Sequence, residues 1–90
     1  MVTAVESYQE VYKQEVGQDY EIRWFLCHAK RLLEQATNEG KTAEILVGTC
    51  LYTPTNFEEL KEVWQEIMRK TAPYFKEGKK IYCRVIFRTP

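Results

Sequence analysis

Cys27, His28, Cys50 and Cys83 are the residues of this chain best suited to nucleophilic attack, metal ligation or proton transfer near neutral pH. Cys27 and His28 invite comparison with a thiol nucleophile and its base, and such a pair needs its side chains within hydrogen-bond reach. Neighbouring side chains diverge by about 100° on a helix and face opposite ways on a strand. Adjacency therefore argues against a dyad, and the chain has no second histidine. Read as zinc ligands, the same four residues match by count alone. They lack the short paired spacing of a structural zinc site. Gly17, Gly40, Gly48 and Gly78 are isolated, so no phosphate-binding loop is present. Glu58 and Glu59 fall at a predicted helix start, where the helix dipole accounts for them. The expectation is a protein with no metal, no cofactor and no enzymatic activity. A small enzyme with Cys27 as its reactive group is kept as an alternative.

Two groups of side chains suit binding better than catalysis. Trp24 lies about 140° around a predicted helix from the centre of its apolar stripe. Cys27, His28 and Arg31 follow at helical spacing, so all four share a face. The ordinary expectation for a tryptophan is that this face packs beneath another element. The alternative is an exposed partner-binding anchor formed by Trp24, His28 and Arg31, using residue types that dominate interface hot spots. The second group is on the last predicted strand. Tyr82, Arg84 and Arg88 alternate on one face and Lys79 and Lys80 lead into it. Such a face can stack bases and neutralise phosphates. It can equally be a solvated strand face whose charges oppose aggregation.

Charge is sorted along the chain. Residues 1–60 carry five basic and ten acidic side chains, net −5, and residues 61–90 carry eight basic and three acidic, net +5. The overall charge is zero and the isoelectric point is about 6.6, unlike the clearly basic balance of most nucleic-acid binders. A dipole of this kind favours head-to-tail self-association or a basic face toward an anionic partner. Ninety residues make a single domain, 1–90, whose modest core would gain from surface shared with a partner. The three scattered cysteines do not form a secreted disulfide framework. No leader or membrane-spanning stretch is read. A cytoplasmic protein with reduced thiols is expected.

The elements that must position these residues follow from periodicity. Val2, Val5, Tyr8, Tyr12 and Val16 recur every three or four residues and predict a helix over 3–16. Gly17 would end it, with Asp19 capping the next. Ile22, Phe25, Leu26, Ala29, Leu32, Leu33 and Ala36 predict a second helix, ended by Asn38-Glu39-Gly40. Residues 20–27 could alternatively form a strand. Residues 43–52 read as one strand. Thr55 and Glu58 have capping-box spacing before a third helix over 56–71, with Phe57, Leu60, Val63, Trp64, Ile67 and Met68 as its stripe and Pro73 and Gly78 at its exit. Residues 80–88 form the last strand, with Ile81, Cys83, Val85 and Phe87 on the face opposite Tyr82, Arg84 and Arg88. The expected fold is a small two-layer α+β domain of order α-α-β-α-β, ending in a parallel βαβ unit. The alternative order is α-β-α-β-α-β. With two strands the sheet would be incomplete, and pairing with another chain is one remedy.

The expected function is a non-enzymatic protein-interaction or regulatory domain of adaptor or inhibitor type, forming homodimers or other homo-oligomers. The alternative is a nucleic-acid-binding module using Lys79, Lys80, Tyr82, Arg84 and Arg88.

Overall fold

The computed structural model describes residues 8–89. They form a small two-layer α+β domain. Strand β1 (Tyr8–Val16) leads into helix α1 (Asp19–Asn38), strands β2 (Thr42–Val47) and β3 (Cys50–Tyr52), helix α2 (Phe57–Lys76) and strand β4 (Ile81–Arg88). One four-stranded sheet runs β1-β4-β2-β3, with every neighbouring pair antiparallel.

The expected helix over 3–16 is overturned where it can be compared. Residues 8–16 are a strand, and residues 3–7 of that expectation, with Val2, lie outside the described residues. Tyr8, Tyr12 and Val16 are four apart, a spacing that suits a helix and, in even steps, a strand as well. A β-bulge at Val11 then shifts the register between Glu10 and Tyr12. It puts Tyr8 opposite Arg88 on one face of the sheet and Tyr12 opposite Val85 on the other, which hides the two-residue alternation.

Residues 20–27 are helical, as the unbroken stripe requires. Six of its seven members are buried and Leu32 is half-buried. The single strand expected over 43–52 is a hairpin. Gly48 and Thr49 form its two-residue turn, and Gly48 takes φ +62°, as the first central position of a type II′ turn demands. The expected parallel pairing is also corrected. β4 is antiparallel to β2 and is inserted between β2 and β1. The sheet therefore has four strands, and an incomplete two-strand sheet no longer argues for self-association.

Both helix starts use one device. The N-caps are Gln18 and Asn56, in place of the expected Asp19 and Thr55. Asn56 Oδ1 accepts from Glu59 N–H at 2.9 Å. The glutamate at the third helical position then reaches back across the cap. Gly17 N–H donates to Glu21 Oε1 at 2.8 Å. Thr55 N–H and Oγ1–H donate to Glu59 Oε1 at 2.8 and 2.9 Å. Each carboxylate also sits in a first turn, where the helix dipole favours it. Pro73 does not end α2, which continues to Lys76 with Pro73 in its last turns. The helix closes as a Schellman motif. Gly78, at φ +74°, donates to Phe75 O and Lys79 N–H donates to Tyr74 O at 2.9 Å.

The core lies between the helices and one face of the sheet. Ile22, Phe25, Leu26, Ala29 and Leu33 of α1 meet Val16, Ile45, Val47, Cys83, Val85 and Phe87 of the strands, joined by Leu60 and Ile67 of α2. The alternation expected in β4 holds: Cys83, Val85 and Phe87 are buried, Ile81 is half-buried and Tyr82 and Arg88 are exposed. Among the described residues, no helix is long and apolar enough to cross a membrane.

The hydrogen bonds from the Thr55 backbone and hydroxyl hold the Glu59 carboxyl below its ordinary pKa of 4.5. The stability it contributes is therefore present above pH 4.5 and lost as pH falls through the lowered folded value. Thermal melts at pH 7 and pH 3 should show a smaller acid-induced drop for Glu59→Gln than for the unaltered protein.

Candidate functional site

Two surfaces hold the residues singled out from the sequence. The first is the solvent face of α1. Trp24 is 59% exposed, which overturns the expectation that it packs beneath another element. The helix has the sheet on one side and α2 on another, and neither reaches the back of its cylinder. Tyr20, one turn earlier and 46% exposed, meets Trp24 edge to face with ring centroids 5.0 Å apart. Arg31 is exposed two turns after Trp24 and makes no ion pair among the described residues.

His28 does not join them freely. It is half-buried and its ring stacks on Tyr12 at 4.8 Å, while Tyr12 also lies 6.0 Å from Phe25. Tyr12 O–H donates to Gln14 Oε1 at 2.8 Å, and Gln14 Nε2 donates to Glu21 O at 3.4 Å. His28 thus belongs to the joint fastening edge strand β1 to α1. Tyr20 was missed from the sequence, although its four-residue spacing before Trp24 is the signal that finds it.

The second surface is the open face of the sheet. Tyr82 is 51% exposed there, Arg84 is half-buried and Arg88 is exposed. Lys79 and Lys80 stand exposed just before the strand. Each cation meets a carboxylate. Arg88 Nε and Nη2 donate to the two oxygens of Glu44 at 2.6 and 3.2 Å. Arg84 lies 3.7 Å from Glu10, Lys80 3.9 Å from Glu15 and Lys79 3.0 Å from Glu77. Lys13 sits 4.9 Å above the Tyr82 ring. The acidic first part of the chain therefore lies on both sides of the basic last strand. A phosphate backbone on this face would have to compete with Glu10, Glu15 and Glu44. Ile86 shares the face, as strand alternation requires, and Leu46 and Leu51 join it by register, an apolar contribution not found in the sequence.

The reactive residues remain dispersed. Cys27 is exposed, Cys50 half-buried and Cys83 buried, all as free thiols. Among the described residues, no group of three or more His, Cys, Asp or Glu is placed to hold a metal ion. Burial pushes the Cys83 thiol up to about 12, so it stays protonated at neutral pH. A disulfide-exchange reagent at pH 8 should modify Cys27 in the folded protein and reach Cys83 only after denaturant is added, as peptide mapping would show.

The two arginines should also separate. Glu44 has a side chain only 14% exposed, so Arg88→Gln leaves a carboxylate with poor access to water. It should cost about 1 kcal/mol in a denaturant melt, whereas Arg84→Gln, at a longer and more exposed pair, should cost close to nothing.

Compared with protein-family models, curated proteins and solved structures, the chain matches none.

Proposed function

We propose that this is a non-enzymatic protein-interaction domain of adaptor or inhibitor type, acting in the cytoplasm and self-associating through the solvent face of α1. The observation that carries the reading is the exposed Trp24, edge to face with Tyr20, in line with an Arg31 that has no acidic partner among the described residues. Tryptophan, tyrosine and arginine are the side chains most enriched in interface hot spots. Leaving a tryptophan in water forgoes roughly 1.5–3 kcal/mol of the stabilisation a large apolar side chain gains on burial. A partner surface recovers it. Two copies related by a two-fold axis would lay α1 on α1 and cover both tryptophans with one self-complementary patch.

The open sheet face supports the protein reading over the nucleic-acid one, because Lys80, Arg84 and Arg88 already have carboxylate neighbours. His28 supports the surface indirectly, by holding β1 against α1.

Sedimentation equilibrium tests the proposal. A dimer is expected at ~100 µM, where weak homodimers of standard interface size populate. Trp24→Ala should return the protein to a monomer by weakening association about 2 kcal/mol or more. Its melt should move little, since the side chain is mostly in water. A wild type that is strictly monomeric at that concentration, or a variant that dimerises as well, overturns it.

A further inference from the structure

The C-terminal half of α2 and the β2–β3 hairpin enclose a cleft of about 800 Å³, within the roughly 300–1,000 Å³ of small-molecule sites. It opens because α2 packs chiefly against α1 and β3 is only three residues long. The last turns of α2 thus overhang a short corner of the sheet.

The lining is chemically divided. Val47, Ile67 and Ile81 give an apolar floor, and Tyr52 and Tyr74 stand among the lining residues. Burial raises the Tyr52 phenol above its ordinary pKa, and its hydroxyl is hydrogen-bonded to the Glu66 carboxylate. Thr71, buried beside Ile67, spends its hydroxyl on Ile67 O at 2.8 Å and leaves no unmet polar group in the floor. The charged residues lining the cleft are Lys70, Lys79, Lys80 and Arg84, and no aspartate or glutamate lines it.

Each of those four cations has a carboxylate neighbour. Lys70 lies 3.3 Å from Glu66 and Lys79 3.0 Å from Glu77. Lys80 and Arg84 make longer contacts to Glu15 and Glu10, at 3.9 and 3.7 Å. Exposed pairs of this kind are weak. An anion lodged over the apolar floor would share the ammonium groups of Lys70 and Lys79 and compete there with Glu66 and Glu77.

We propose that this cleft binds a small organic anion, an apolar body of one or two rings carrying a sulfonate, carboxylate or phosphate. The apolar body covers Val47, Ile67 and Ile81, and the anionic group lies between Lys70 and Lys79. The site is separate from the α1 face, so its occupancy does not depend on Trp24.

The test is a fluorescence titration of the full chain with anilinonaphthalene sulfonate, beside the uncharged phenylnaphthylamine. Saturable one-to-one binding of the sulfonate is expected, with the uncharged probe at least about fivefold weaker. Lys70→Glu with Lys79→Glu should weaken the sulfonate about tenfold. Trp24→Ala should leave it unchanged. Should the double variant fail to fold, Lys79→Gln, at an exposed position, decides with an expected loss of about threefold. Amide chemical-shift changes should centre on Thr49, Tyr74 and Ile81. Unsaturable binding, equal affinity for the uncharged probe, no loss in a folded lysine variant, or shifts centred on α1 would each overturn the proposal.

Discussion

The alternation of β4 is the constraint on which the rest of the molecule depends. Cys83, Val85 and Phe87 point one way and Tyr82, Arg84 and Arg88 the other. A strand with this pattern must place one face against helices and the other in water. Because β4 is central, it imposes the same division on both neighbours. β1 contributes Tyr12 and Val16 to the core face and Glu10 and Glu15 to the open one. β2 contributes Ile45 and Val47 to the core face and Glu44 and Leu46 to the open one. The separation of charge along the chain has its structural counterpart here. The acidic strands flank the basic one, and the opposite charges become cross-strand neighbours. Individually such exposed pairs add little. Lys13 opposite Arg84 is the exception, a like-charge pair in direct register.

The parts of the fold legible in the sequence were those where one period dominates. The stripe of α1 runs over four turns, and only a helix puts Ile22, Phe25, Leu26, Ala29 and Leu33 on one side. The face of β4 was legible for the same reason. Three features were not. The bulge at Val11 inverts the alternation of β1 and leaves a four-residue spacing that imitates a helix. The hairpin at Gly48-Thr49 was hidden inside a continuous apolar run, although a Gly-X pair between such runs is a turn signal in its own right. The antiparallel insertion of β4 is a long-range outcome, and no local pattern records it.

For the surfaces, the sequence identified residues but not their company. Trp24 and Arg31 were placed correctly on one face. Whether anything covered that face depended on the tertiary position of α1, which its periodicity does not encode. His28 shares the face by angle and yet leans onto Tyr12, a residue whose four-residue spacing imitates a helix. The cleft was invisible for a further reason. Its lining comes from α2, the hairpin and β4, and its room comes from the shortness of β3. α2 consequently buries only Leu60, Ile67 and Thr71 fully, with Val63, Trp64 and Met68 half-covered.

The central place of β4 also orders events during synthesis. β1 is synthesised before the other strands of the sheet but has no partner strand until β4 follows, and β2 can until then pair only with the three residues of β3. Until then the nascent chain can hold α1, α2 and a short hairpin, with most strand backbone hydrogen bonds still made to water. The sheet is therefore assembled in one late step that closes the longest loops in the molecule. Such steps are slow, because loop entropy is lost before the contacts that offset it can form. A chain interrupted anywhere before Ile81 would keep amphipathic helices and lose the surface they are meant to cover. It would be a substrate for proteolysis rather than a smaller version of the domain.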